Sequence, residues 1–175
     1  AVSIITGTGF VTADYGLWGG FALIVFFFFM FLGGCAGSTS CGIKMFHIQV
    51  LFATASSQMQ RLLRPHGVFV AHYNRRPIPT TVSNAVMSFF FLFLVTYVIL
   101  TLALTALGLD FITSLSSAAA AITNVGPALG PTTGPAGTYV TLPDAAKWLL
   151  AAGMLLGRLE LLTVLVLLTP RFWRA

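Results

Sequence analysis

Two long apolar runs dominate this sequence, at residues 17–37 and 80–109, and neither contains a charged residue. Each is long enough to cross a hydrocarbon core of about 30 Å as a helix that rises about 1.5 Å per residue. Inside lipid every backbone polar group needs an internal partner, so spanning segments are helices or closed barrels. Barrel strands would alternate apolar and polar residues. The unbroken runs therefore predict an all-α polytopic membrane protein.

The charged residues support this interpretation by their number and their positions. They make up 7% of the chain, whereas a soluble domain carries about 25%. The net charge of +5 does not indicate a nucleic-acid partner, because the basic residues flank the apolar segments, as topology signals do. The basic connection between the two runs, at residues 61–76, is predicted to be cytoplasmic. The chain opens with what looks like the middle of an element, so we expect a fragment of a longer protein.

The first apolar run leads into a segment that is unlike a helix, at residues 33–42. It holds four Gly and three hydroxyl residues, which propagate a helix poorly, and a helix-compatible pattern resumes at residues 43–55. Gly33 and Gly37 also fit a close helix-packing motif, but the density of glycine favours a real break. Non-helical backbone at membrane depth is tolerated only where it is buried in protein or lines a watery cavity.

The second half of the chain predicts a span, a half-span, an irregular loop and a span. Residues 111–122 are too short to cross and favour a re-entrant helix, and residues 123–137 hold four Gly and three Pro. The last helix is expected to begin near Asp144 and to run to about residue 169. The ITGTGF run at residues 5–10 is echoed by ITNVGP at residues 122–127, which indicates an internal repeat.

A Thr-x-x-Gly loop after a half-helix is typical of a path for a dehydrated cation. Backbone carbonyls replace the water of the ion, glycine permits the positive φ values that such a loop needs, and the half-helix adds its dipole. Taken singly, each loop would be an ordinary surface turn. Because there are two, each ahead of a spanning helix, a pore is favoured.

Five motifs in order carry a family resemblance: SIITGTGF at 3–10, GGCAGSTSCGIK at 33–44, TNVGP at 123–127, LPDAAKW at 142–148 and GMLLGRLE at 153–160. They resemble the Trk/Ktr/HKT superfamily of cation transporters, and most of all its TrkH-type potassium uptake subunits. That family has four potassium-channel-like helix–pore-loop–helix repeats around one pore. The resemblance implies that residues 1–76 end repeat three and that residues 77–175 form repeat four.

The resemblance also implies a filter, a gate and no catalytic residue. The implied ion-binding residues, which would hold potassium by their carbonyls, are Thr6, Gly7, Thr8, Gly9, Thr123, Asn124, Val125 and Gly126. The implied gate residues are Gly33, Gly34, Gly37, Ser38, Thr39, Ser40, Gly42 and Arg158. Potassium is the transported ligand, and no cofactor or transition metal is expected.

Three positions depart from the usual pattern of the family. Gly7 stands where Thr is usual, which implies a softer filter loop. Cys41 stands where Gly is usual, which implies a stiffer or thiol-sensitive gate. Ala128 replaces a Gly after the fourth filter segment. Both Cys35 and Cys41 are predicted to be small buried residues.

Arg158 is an unusual residue to find within a membrane helix. Such a charge costs about 2.5–3.5 kcal/mol on insertion scales, and Glu160, two residues on, points to another side of the helix. We expect Arg158 to face the pore as an electrostatic barrier, partly satisfied by loop carbonyls and by Ser38, Thr39 or Ser40. The alternative is a structural pair with Glu160 or with another helix.

The partners follow from the resemblance alone. It implies repeats one and two of the same protein, a homodimer, and a cytoplasmic nucleotide-binding regulatory subunit of the TrkA type, in the bacterial inner membrane. Uptake would be channel-like or coupled as symport. A secondary transporter with broken helices and a midplane substrate site remains the alternative. An enzyme is disfavoured, because the spanning segments offer no His or Asp partner that could activate a hydroxyl or the cysteine thiol of residues 37–42.

Overall fold

The computed structural model describes residues 1–35, 37–38, 41–64, 67, 69–74, 76–130 and 132–159. The helices within this part are α1 (Val2–Ile5), α2 (Gly20–Phe31), α3 (Met45–Leu63), α4 (Thr80–Ala106), α5 (Phe111–Thr123) and α6 (Asp144–Arg158). The described residues also form two 3-10 turns, Tyr15–Trp18 and Tyr139–Thr141, and a short antiparallel hairpin of β1 (His72–Tyr73) and β2 (Arg76–Pro77). The all-α fold is confirmed, whereas the 3-10 turns and the hairpin in the basic connection were not predicted.

Helix α4 is the single described helix that is long and apolar enough to cross a membrane. Its 27 residues span about 40 Å at 1.5 Å per residue. The hydroxyls of Thr96, Thr101 and Thr105 each donate to the carbonyl four residues earlier, at 2.8–2.9 Å. These bonds satisfy polar groups that lipid cannot. The helix predicted for the apolar run at residues 80–109 is therefore confirmed, at Thr80–Ala106.

The first apolar run forms a shorter helix than expected. Helix α2 has 12 residues, or about 18 Å, so it does not cross a bilayer core by itself. It ends at Phe31 because Leu32 is extended and pairs with Ile43 in a parallel bridge. Helix α3 then begins at Met45. The break predicted at residues 33–42 is confirmed, and it begins one residue earlier than predicted, at Leu32.

Helix α5 is the centre around which the other elements pack. Ten of its 13 residues are buried, and it contacts α2, α4 and α6. Its small Ala and Ser side chains allow the neighbouring backbones to approach closely. Asp110 caps its first turn, where the carboxylate accepts a bond from the Ile112 amide at 3.2 Å. The predicted half-span is thus a buried helix that ends, at Thr123, where the second candidate filter segment begins.

Candidate functional site

The two candidate filter segments share one backbone conformation. Gly7 and Gly9 have φ values of +70° and +77°, and Asn124 and Gly126 have φ values of +53° and +99°. Left-handed backbone therefore occurs at the second and fourth positions of each segment. Glycine adopts it without steric cost, and Asn is the side chain that tolerates it best. The Thr-x-x-Gly pattern thus forms the same turn twice with different residues.

The two turns also share three hydrogen bonds. In each turn, the hydroxyl of the threonine donates to the carbonyl four residues earlier. The amide of the second residue donates to the carbonyl three residues earlier, and the amide of the third residue donates to the carbonyl five residues earlier. The bonds are Thr6 to Val2 at 2.9 Å, Gly7 to Ile4 at 3.1 Å and Thr8 to Ser3 at 2.9 Å in the first turn, and Thr123 to Ala119 at 2.7 Å, Asn124 to Ala121 at 3.1 Å and Val125 to Ala120 at 3.1 Å in the second. The sequence echo is therefore a repeated local structure.

The structure brings the two filter segments together. A Cβ atom added to Gly9 would collide with the carbonyl oxygen of Val125, and one added to Gly7 would lie 3.8 Å from the carbonyl oxygen of Asn124. Gly9 and Gly126 line one cavity. The two segments thus lie against each other, as expected of turns that share a common path.

Three contacts hold the second segment, and the sequence pattern did not predict them. The Asn124 side chain donates from Nδ2 to the Met154 carbonyl at 3.0 Å, and the Tyr139 hydroxyl donates to the Gly126 carbonyl at 2.6 Å. A Cβ atom on Gly157 would collide with the Ile122 carbonyl, so α6 packs directly on the end of α5. The glycine at 157 is the one signal of this close approach that the sequence carries.

The break between α2 and α3 is a loop whose two ends are tied together. The Gly33 amide donates to the Ile43 carbonyl at 2.9 Å, and the Ile43 amide donates to the Phe31 carbonyl at 3.0 Å. Gly42 has a φ of +85°, and a Cβ atom there would lie 3.6 Å from the Thr123 methyl group. The base of the loop therefore lies beside the start of the second filter segment.

The candidate gate residues differ in burial along this loop. Gly33 is buried, Gly34 and Gly42 are half-buried, Gly37 and Ser38 are exposed, and Thr39 and Ser40 lie outside the described residues. The prediction that both cysteines are buried is wrong, since Cys35 is exposed and Cys41 is half-buried. Cys35 lies in the part of the loop beyond its tied base, where the packed helices do not cover it.

Arg158 lies at the last residue of α6 and reaches the loop. Its Nη1 donates to the Cys41 sulfur at 3.3 Å. The guanidinium is therefore adjacent to the loop, at the position where this sequence departs from the usual glycine. The partners predicted among the loop carbonyls and hydroxyls stay a prediction, and Glu160 lies outside the described residues.

The oxygen atoms of the two turns are the candidate ligands for an ion. In the part of the chain that the structure describes, no group of three or more His, Cys, Asp or Glu side chains is placed to hold a metal. Peptide oxygens in an extended loop suit a monovalent cation, whose water they replace.

Comparison with known proteins gives consistent similarities over the whole chain. A family model described as "TrkH: Cation transport protein" matches residues 1–174. The Trk system potassium uptake protein TrkI of Halomonas elongata is 53% identical over 173 residues, and TrkH of Escherichia coli K12 is 37% identical over 173 residues. The chain is covered to 99% in both, but it spans only 35% of the length of these relatives.

A crystal structure of the potassium transporter TrkH from Vibrio parahaemolyticus superimposes with a TM-score of 0.88 at 38% identity. It covers 98% of this chain, and this chain covers 36% of it.

Proposed function

This chain belongs to the TrkH family of cation transport proteins, and from this membership we propose that it forms part of a potassium path through a membrane. The proteins of this family are membrane transporters rather than enzymes. The curated relatives are named as potassium uptake proteins of the Trk system. The chain spans about a third of their length, so it supplies part of the path and the rest of the protein supplies the other sides.

One observation carries the proposal. Two turns at distant places in the sequence have the same left-handed positions and the same hydrogen bonds, and they pack against each other. Gly9 and Gly126 of the two turns line one cavity, and coordination of a dehydrated cation requires backbone oxygens around such a shared volume. We assign the ligands to the carbonyls of residues 6–9 and 123–126, with repeats one and two completing the ring.

The tied loop and Arg158 form the proposed gate. The loop base lies beside Thr123, and Arg158 reaches Cys41, so a positive charge stands next to the loop. A cation that passes there meets electrostatic repulsion, which falls off slowly where water is scarce. The potassium flux of an Arg158→Ala variant tests this role, and a flux equal to that of the wild type contradicts it.

The proposed setting follows the family. We place the protein in the bacterial inner membrane as a multi-pass subunit, in a homodimer with a cytoplasmic nucleotide-binding regulatory subunit of the TrkA type. Crosslinking of the full-length protein in its own membrane, followed by identification of the captured chains, tests both partners. Recovery of the monomer alone contradicts them.

The experiment that tests the ion path changes Gly9 in the full-length protein. Gly9→Ala adds a methyl group that collides with the Val125 carbonyl, so we expect loss of potassium uptake in cells that lack other uptake systems. Gly19→Ala is the matched control, because Gly19 also has a positive φ, of +93°, but nothing lies within 4 Å of its added Cβ atom. Full, potassium-selective uptake by Gly9→Ala, or equal losses in the two variants, contradicts the proposal.

A further inference from the structure

The Tyr139 hydroxyl binds the backbone of the second filter segment. Tyr139 begins the 3-10 turn before α6, is half-buried, and packs against the core formed by α4, α5 and α6. Its hydroxyl donates to the Gly126 carbonyl at 2.6 Å. A rigid ring that is held by the core thus fixes one oxygen of the proposed ion path.

Gly126 is the residue of this segment that most needs such a restraint. It has no side chain, its φ is +99°, and nothing lies within 4 Å of the position where a Cβ atom would stand. Side-chain packing therefore contributes no restraint at this position. Since a carbonyl oxygen has two lone pairs, the bond from Tyr139 leaves one of them for an ion.

Further hydroxyl groups support Tyr139 from behind. The Ser117 side chain of α5 lies close enough to Tyr139 to oppose the rise in the pKa of its hydroxyl, and the Ser117 hydroxyl lies 3.1 Å from that of Thr133. Ser117 and Thr133 are both buried. The network links the helix before the segment, the loop after it and the turn before α6.

The first filter segment is held differently in the part of the chain that the structure describes. The tyrosine near it, Tyr15, is stacked on Phe26 with a centroid separation of 4.4 Å. Its buried hydroxyl has no hydrogen-bond partner among the described residues. The bond from a tyrosine to a filter carbonyl is therefore a feature of the second segment.

We infer that Tyr139 is a positioning residue that sets the selectivity of the ion path by fixing the Gly126 carbonyl. The inference rests on the proposed function. Cations of different radius need oxygens at different distances, so a restrained carbonyl favours one ion, whereas a free one adapts to several. Tyr139 acts through Gly126 and touches no ion itself.

The hydroxyl is available as a donor at every physiological pH. Burial raises the pKa of Tyr139 to about 12, against a smaller opposing effect of the Ser117 side chain. The raised pKa favours the protonated form of Tyr139 in the folded state. The contribution of Tyr139 to the stability of the fold is therefore complete below the ordinary pKa of 10.0 and is lost only as the pH rises through about 12.

The test compares Tyr139→Phe with Tyr97→Phe in the full-length protein. Both changes remove one hydroxyl that donates to a backbone carbonyl, but Tyr97 binds Leu115, within α5 and away from the filter turns. We expect Tyr139→Phe to lower the preference for potassium over sodium and to raise the KM for potassium, with little change in maximal rate. The loss of one neutral hydrogen bond corresponds to a change of about threefold to tenfold. Tyr97→Phe should change neither.

The inference is overturned if Tyr139→Phe keeps the wild-type preference, or if both variants lose it equally. If Tyr139→Phe does not reach the membrane, Ser117→Ala removes a hydroxyl that acts on Tyr139 and should lower the preference in the same direction. An unchanged preference in Ser117→Ala then contradicts the inference.

Absence of potassium uptake by the wild-type protein overturns the proposed function instead. In that case Tyr139→Phe and Tyr97→Phe are compared with the wild type on the cation that the wild type does take up. If Tyr139→Phe keeps the wild-type preference for that cation, the inference is overturned as well.

Discussion

Asn124 combines two structural tasks in one residue. Its φ of +53° makes the left-handed bend of the second filter segment, and its side chain ties that bend to the Met154 carbonyl of α6. Gly7 makes the equivalent bend in the first segment with no side chain at all. The second segment is therefore the one whose bend is joined to α6 by a side chain.

Two substitutions separate the tasks of Asn124. Asn124→Gly keeps the bend and loses the hydrogen bond, at a cost of about 0.5–1.5 kcal/mol. Asn124→Ala also meets the left-handed strain of about 1–2 kcal/mol. We expect thermal stability and potassium uptake of the full-length protein to fall in the order wild type, Asn124→Gly, Asn124→Ala.

The control for this series is Asn74, which has a φ of +49° in the turn between β1 and β2. Asn74→Ala carries a similar strain far from the filter turns, so it should lower stability and leave uptake per folded molecule unchanged. Equal uptake by Asn124→Ala and Asn74→Ala would contradict a role of Asn124 in the path.

At the scale of elements, the loop between α2 and α3 meets the end of α6 through Arg158 and Cys41. If the guanidinium is an electrostatic barrier, Arg158→Ala lowers it, and each 1.4 kcal/mol removed raises the flux about tenfold. We expect a several-fold higher potassium flux in vesicles that contain the full-length variant.

Lys147 provides the matched control for the charge on α6. It pairs with Asp144 at 3.0 Å in the first turn of the same helix, away from the loop. Lys147→Ala removes an equal charge and should leave the flux unchanged. A rise of equal size in both variants would assign the effect to net charge rather than to a barrier at the loop.

Elements that depend on local patterns could be predicted, and those that depend on pairing could not. Helix α4 follows from its apolar run, and α5 follows from a short run that Asp110 precedes. The break after α2 follows from the glycines of residues 33–42, but the bridge between Leu32 and Ile43, which ends the helix at Phe31, joins distant residues and could not be predicted.

The candidate site divides in the same way. Both filter turns follow from a four-residue Thr-x-x-Gly pattern, because hydrogen bonds within a few residues of the chain form them. The bonds from Asn124 to Met154 and from Tyr139 to Gly126 depend on how α6 and the turn before it pack. A sequence pattern carries no signal for such contacts between elements.

On the scale of the whole molecule, this chain presents two filter turns and a large apolar exterior. Large hydrophobic side chains are exposed on α2, α4 and α6, among them Phe21, Phe91 and Trp148. Under the proposed function, the two turns border an ion path on part of its circumference, so the chain alone leaves the path open.

We therefore expect no potassium-selective flux from vesicles that contain only these 175 residues, and selective flux from vesicles that contain the full-length protein. The measurement is uptake of a potassium tracer against a sodium competitor, with equal amounts of inserted protein. Selective flux from the short chain would contradict this expectation and would indicate that copies of the chain complete the ring.

The tied base of the loop between α2 and α3 has a consequence for evolution. Bonds from Gly33 to Ile43 and from Ile43 to Phe31 close the excursion where it leaves and rejoins the helices. Residues added to or deleted from the tip would change the size of the excursion without rotating α3 relative to α2. The tied base therefore lets this loop change in length while α2 and α3 keep their register.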